Sequence, residues 1–184
     1  MKRNAQQKFF KFQPLDYGGS LLKKRKYRER GRAISTKNQM HFVLRSSQAV
    51  GKWSFLNHRK PIEKILEKFA KKFGVRLISL ANVGNHLHLH LQLTSRHTYA
   101  PFIRAITSAI MMAVTGASRW RRVELRGRKF WDLRPFSRVI MSFRENLNLR
   151  EYIRINQFEG EGFNRDQSRF MTKFDWDVGE FRRN

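Results

Sequence analysis

The chain has 184 residues, with 39 Lys and Arg against 14 Asp and Glu and a formal net charge of +25. Such a surplus points to a polyanionic partner, while 40% hydrophobic and 13% aromatic residues exclude a merely disordered basic tail. The chain has no cysteine, which excludes disulfides, thiolate metal sites and cysteine nucleophiles and leaves histidine, carboxylate and amide groups as candidate ligands.

The N-terminus MKRNAQQKFFKF lacks the apolar region of a secretory signal, and no stretch approaches the roughly 18 apolar residues of a membrane span. The expected location is cytoplasmic. Residues 1–37 form a basic extension in which Lys23, Lys24, Arg25 and Lys26 head a run continuing through Arg28, Arg30 and Arg32. This reads as an arm lying on nucleic acid, against the plainer reading of a solubilising tail. One folded domain is expected over 38–160 and a tail over 161–184.

Within the domain, QMHFVLR from Gln39 to Arg45 fits a first strand. Pro61 opens a helix carrying Ile62, Ile65, Leu66, Phe69 and Phe73 at helical spacing, and Gly74 ends it. VRLISLAN from Val75 to Asn82 fits a second strand, and Val83-Gly84-Asn85 turns the chain into a third. Tyr99 to Val114 reads as a second helix, with Pro101 near its start, Gly116 as its stop and Met111 and Met112 as core filler. Ser118 to Arg138 is dense in arginine interleaved with Trp120, Phe130, Trp131 and Phe136, and is predicted to be a hairpin or strand with a basic, aromatic surface. A third helix is expected from Phe143 to about Phe158.

The third strand is the most informative. In His86-Leu87-His88-Leu89-His90-Leu91, alternation sends Leu87, Leu89, Leu91 and Leu93 to one face and His86, His88, His90 and Gln92 to the other. Residues two apart on a face lie roughly 7 Å apart at the backbone, so two imidazoles can converge on one cation. His86 and His90 are about 13 Å apart, which leaves His86 with His88, or His88 with His90, as the pair. The plainer reading is a half-exposed strand whose outward positions happen to be histidine.

The order strand, helix, strand, strand, helix, strand, helix matches an α+β, ferredoxin-like split βαβ arrangement with an antiparallel sheet and an added C-terminal helix. Such a sheet packs its helices on one face, so the added helix can close over the histidine face. Tyr152 and Asn156 stand four apart and share one side of that helix. An amide oxygen joined to two imidazoles suits Mg²⁺ or Mn²⁺ once a substrate supplies further oxygens. Taken alone, Tyr152 and Asn156 would be ordinary residues of an amphipathic helix. Arg119, Trp120, Arg121 and Arg122, with Arg126, Arg128, Lys129 and Trp131, are the candidates for phosphate and base contacts because cations alternate with stackable rings.

Asn85-His86-Leu87-His88, followed by Glu151-Tyr152-Ile153-Arg154-Ile155-Asn156, resembles the HUH single-tyrosine transposases, especially REP-associated tyrosine transposases and their insertion-sequence relatives. Phe130-Trp131 and Arg138-Val139-Ile140 sit where those proteins carry an aromatic pair and a last strand. The resemblance covers roughly residues 38 to 160 and makes that span a catalytic domain. It implies that His86, His88 and Asn156 bind a divalent metal, Mg²⁺ or Mn²⁺, and that Tyr152 is the nucleophile. The implied activity is cleavage and rejoining of single-stranded DNA, a hairpin among its forms, through a 5′-phosphotyrosine, by a nucleoid-associated monomer or homodimer. Gln157 departs from the family, since many relatives have proline after the asparagine; His90 is an additional histidine, and the basic extension is longer than usual. The rival class is a nonenzymatic, ribosome-associated RNA-binding protein, for which charge and a ferredoxin-like sheet would suffice.

Overall fold

The computed structural model describes residues 17–18, 34–125, 129–132 and 134–180. Alternation builds its centre. In β2 (Met40–Arg45) and β4 (His86–Leu93), the side chains of Met40, Phe42, Leu44, Leu87, Leu89, Leu91 and Leu93 all point to one face and are buried. With β1 (Tyr17–Gly18), β3 (Val75–Asn82) and β5 (Phe136–Val139), they form a five-stranded sheet in the order β1-β5-β2-β4-β3, every neighbouring pair antiparallel.

Helix α1 (Arg59–Phe73) and helix α2 (Tyr99–Thr115) cover the leucine face. Ile62, Leu66 and Ala70 of α1 recur at three- and four-residue spacing, as do Phe102, Ile103, Ile106, Ile110 and Val114 of α2, so each helix buries one stripe. Gly74 stops α1 in the left-handed conformation, φ 63°, donating its N–H to the Ala70 and Lys71 carbonyls. The order β2-α1-β3-β4-α2-β5 with sheet order β5-β2-β4-β3 is the ferredoxin-like split βαβ arrangement.

Helix α3 (Phe143–Gly160) lies on the other face, and helix α4 (Arg165–Glu180) packs against α3 within the segment read from sequence as a tail. The α4 start is a reciprocal cap, Asn164 Oδ1 accepting from the Gln167 amide and Gln167 Oε1 from the Asn164 amide. Among the described residues, the hairpin or strand predicted over Ser118–Arg138 is reduced to β5 and one tight turn, in which Ser118 and Arg121 exchange backbone hydrogen bonds of 3.0 and 3.3 Å. Phe130 and Asp132 are tied to the end of β2 instead, the Phe130 carbonyl accepting from the Ser46 hydroxyl at 2.5 Å. The Asp132 carboxylate accepts from both the amide and the hydroxyl of Ser47 at 2.7 Å, and the Asp132 amide donates to the Arg45 carbonyl at 3.1 Å. Among the described residues, no helix is long and apolar enough to cross a membrane.

Gly160 fixes how closely α3 approaches the sheet. A Cβ there would sit 2.1 Å from the Asn82 carbonyl oxygen, a backbone atom that cannot swing aside. Gly160→Ala must therefore lift the end of α3 from β3. Urea unfolding should show a loss of about 1 to 3 kcal/mol, the range for overpacking a tight contact. Unchanged stability would mean that the contact relaxes at no cost.

Candidate active site at the tyrosine helix

Helix α3 is held at both ends. At its start, the Ser142 hydroxyl accepts from the Glu145 amide at 3.1 Å, while the Glu145 carboxylate accepts from the Met141 amide at 2.7 Å and from Arg138 of β5 at 2.8 Å. The Met141 amide, and with it Arg138, hold the Glu145 carboxyl below the usual range. Asn146 donates to Gln39, tying the same turn to the chain just before β2. In the middle, Leu149 and Ile153 join Ala81 and Ile140 in a small second core, and Gly160 closes the far end on Asn82. This clamp sets the axial position of Tyr152.

Beneath it, pairing between β2 and β4 places Arg45 opposite His86, Val43 opposite His88 and His41 opposite His90. His41 thus lies diagonal to His88, with His41 Nε2 and His88 Nδ1 3.1 Å apart, near-parallel rings and centroids separated by 5.4 Å. His86 and His88 meet edge to face at 4.8 Å. His86 Nδ1 donates to Asn85 Oδ1 at 2.6 Å. The His88 Nε2 atom is buried and has no hydrogen-bond partner. Further along β4, His90 is fully buried with neither ring nitrogen partnered.

Tyr152 stands edge-on to both rings, at 5.3 Å and 87° from His88 and 6.0 Å and 74° from His41. It is 40% exposed, so its other side is open. That side opens on a cleft of about 380 Å³ lined by His41, His88, Phe136, Arg138, Asn148 and Tyr152, among others. One turn further on, Asn156 is buried and its amide donates to the Tyr152 carbonyl at 2.7 Å, which leaves Oδ1 as its acceptor. Among the described residues, no three His, Cys, Asp or Glu side chains converge as a metal site.

Burial keeps the imidazoles neutral. It pushes His88 down to about 3, helped by His41 and His86, and His41 to about 4, helped by His90 and Arg138. His90 is lowered to about 4 by burial, Arg150 and Arg76, and His86 is lowered by burial and Arg45. Neutral rings offer lone pairs at physiological pH.

The structure thus brings Tyr152, His86 and His88 together and places Asn156 on the same helix one turn away. His41 was read from sequence only as part of a strand. The signal for it was alternation, which puts His41 on the face opposite Met40 and Phe42, but its partner depends on strand register. Of the basic candidates, Arg119, Arg121, Arg122 and Lys129 are exposed. Trp120 is 89% exposed at the tip of the tight turn, with the Arg119 guanidinium over its ring. Trp131 departs from the expected surface. Its indole donates to the Thr107 carbonyl at 3.0 Å and its ring packs on Phe55, so the half-buried side chain is anchored against the core. Lys23, Lys24, Arg25, Lys26, Arg126 and Arg128 lie outside the described residues.

A family model described as transposase, IS200 like, matches residues 35–156, a span that runs from just before β2 through Tyr152 to Asn156. The chain belongs to the IS200-like transposase family. Membership makes it a transposase-type, DNA-processing protein. A solved structure of a REP-associated tyrosine transposase bound to a REP hairpin superposes with a TM-score of 0.57 at 13% identity, covering 72% of this chain and 74% of that one. The fold is the same. A Deinococcus radiodurans protein assigned as a transposase gives a TM-score of 0.43 at 19% identity, covering 71% of this chain and 98% of that one. No curated protein matches.

The lowered histidines have a consequence for this transposase-family fold. The unfolded chain takes up protons near the ordinary 6.5, whereas folded His41 and His90 do so only near about 4 and His88 near about 3. Stabilisation present above pH 6.5 is thus lost as pH falls toward the folded values. Between pH 6.5 and 5, before most carboxylates titrate, the unfolding free energy should drop by at most about 1.4 kcal/mol per pH unit for each such histidine. His41→Gln should make that slope shallower, whereas an identical slope would show that His41 titrates normally.

Proposed function

We propose that the protein cleaves and rejoins single-stranded DNA, with Tyr152 as nucleophile and a 5′-phosphotyrosine as the intermediate. His86, His88 and Asn156 would hold Mg²⁺ or Mn²⁺. The observation that carries the reading is the edge-on contact of Tyr152 with His88, whose buried Nε2 has no partner and faces no competing hydrogen bond. The donor set fits such an ion: two neutral imidazoles edge to face, and an amide oxygen left free by the Asn156 hydrogen bond to the helix backbone. When bound, the ion supplies Lewis-acid polarisation of a non-bridging phosphate oxygen.

The remaining work falls to the chain. A neutral phenol is a weak nucleophile, so its position must supply much of the advantage. The α3 clamp holds Tyr152 on the rim of the cleft, where Phe136 offers a ring and Arg138 a cation to an entering strand. Attack by the Tyr152 oxygen on phosphorus forms the tyrosyl ester and breaks the bond to the 3′ oxygen. The phenolic proton is released through the exposed side, and the leaving oxygen takes up a proton as a 3′-hydroxyl. Rejoining is the reverse, and the ester conserves the phosphodiester energy, so no nucleotide cofactor is required. Exposed Arg119, Arg121, Arg122 and Lys129, with the arm from Lys23 to Arg32, would track phosphates, and Trp120 would stack on an unpaired base. A hairpin is the favoured partner by analogy with the REP-associated transposase of the same fold.

Incubation with single-stranded hairpin DNA and Mn²⁺ should give a denaturant-resistant adduct. Tyr152→Phe should abolish the adduct with DNA affinity nearly unchanged, because only the attacking oxygen is lost. His86→Ala and His88→Ala should suppress it strongly, Asn156→Ala more mildly and His90→Ala least. Adduct surviving Tyr152→Phe would refute the nucleophile, and a greater loss at His90 than at His86 would move the ligand pair along β4.

The binding surface is tested separately. Trp120→Ala should cost about 1 to 3 kcal/mol in affinity without changing its salt dependence, whereas deleting residues 1–32 should flatten the salt slope. Tighter binding to matched RNA at about 0.15 M salt, with no adduct on any DNA, would favour a nonenzymatic RNA-binding protein.

A further inference from the structure

We infer that His41 and Asn85 are positioning residues that fix the tautomers of His88 and His86, each accepting an N–H from Nδ1 so that both Nε2 lone pairs are presented together. The inference rests on the reading above, that these two histidines hold a divalent cation.

A neutral imidazole has one N–H and one lone pair, and the partner of one nitrogen decides what the other can do. For His86 the assignment is direct, because the Asn85 amide oxygen 2.6 Å from Nδ1 can only accept. That leaves His86 Nε2 with the lone pair. For His88 there are two arrangements. If its proton sat on Nε2, a buried N–H would have no acceptor at all, which is costly. If the proton sits on Nδ1, it is donated to His41 Nε2 at 3.1 Å, and the unpartnered Nε2 is a lone pair that needs only a cation. The second arrangement gives the N–H of both His86 and His88 an acceptor. It also assigns His41, whose Nε2 must accept and whose own proton must lie on Nδ1.

The choice of partner suits a site that receives a polyanion. Metal-bound histidines commonly donate to a carboxylate, a backbone carbonyl or water. Here the two acceptors are an amide and a neutral ring, so orientation is achieved without adding negative charge where a phosphate arrives. The acid lining the cleft, Glu145, is engaged by Arg138 and the Met141 amide. His41 is itself braced, edge-on to Phe136 at 5.9 Å and to Tyr152 at 6.0 Å, so one ring links the nucleophile to the ligand pair.

The test uses the full chain and Mn²⁺ alone. In the metal-free protein at pH 7, long-range ¹⁵N–¹H spectra should show His88 and His86 protonated at Nδ1 and bare at Nε2. His41→Phe, which cannot accept, should give His88 a mixed tautomer and weaken Mn²⁺ binding, read from free-ion paramagnetic resonance, by about 10- to 100-fold. His41→Gln places an amide oxygen where Nε2 was and should restore both tautomer and affinity to within a few-fold. Asn85→Ala should act likewise on His86. A wild-type His88 protonated at Nε2, or wild-type tautomer and affinity in His41→Phe, would overturn the inference. His88→Ala separates the two levels, since undiminished Mn²⁺ binding there would sink the cation reading itself. If His41→Phe fails to fold, His41→Gln and Asn85→Ala decide. Loss of the Nδ1-protonated His88 in the former, or an unmoved His86 tautomer in the latter, counts against the assignment.

Discussion

The register between β2 and β4 is the constraint on which the molecule depends. Six consecutive cross-strand pairs, Met40 with Leu91 through Arg45 with His86, set which histidine meets which. A slip of one residue would turn Met40, Phe42 and Leu44 toward the helix α3 side and bury His41 under α1 and α2. Hydrophobic burial of the leucine layer, about 1.5 to 3 kcal/mol for each fully buried large side chain, opposes that slip at every step. The chemistry on one face is thus aligned by the packing on the other. The clamp on α3 adds the second coordinate, because strands alone would fix the histidines and leave the tyrosine free to slide.

Electrostatic design divides the protein into two zones. The periphery is strongly cationic, and many of its arginines have no need of a partner in water. The site is different: three buried imidazoles and the half-buried His86, all held neutral, one carboxylate neutralised by an arginine and an amide, and an opening beside a half-exposed phenol. Cationic charge is a property of the outside, and a cluster of uncharged imidazoles is a property of the inside. The arginines that do approach the rings, Arg45 near His86, Arg138 near His41, and Arg76 and Arg150 near His90, add to burial in keeping them neutral.

Much of this was readable in the residues. Strict alternation on β4 announced both the strand and its two faces, and Gly74 and Gly116 announced the C-caps of α1 and α2. The four-residue spacing of Tyr152 and Asn156 announced a shared helical side. What could not be read was whatever depends on contacts distant in sequence. His41 gains its role from a residue 47 positions later, through register rather than local pattern. Trp131 looked like a surface ring among arginines, yet Thr107 and Phe55, brought in by tertiary packing, draw it inward. The α4 segment shows weak local signals, Gly162 and a mixed sequence, and its helix is secured by a reciprocal cap and by docking on α3. The close approach of Gly160 to Asn82 is likewise invisible in a sequence where two nearby glycines suggest only a break.

The two-sidedness of β4 has a consequence for how such a protein can change. Odd-numbered positions from Leu87 to Leu93 answer to the packing of α1 and α2, and even-numbered positions from His86 to Gln92 stand on the opposite, polar face. The two sets share a backbone and no side-chain environment. A substitution at an even position can therefore change the polar face while the leucine layer keeps the strand in place, and a repacking at an odd position can adjust robustness while the imidazoles stay where they are. Heritable variation in specificity and in stability can proceed along the same eight residues without colliding.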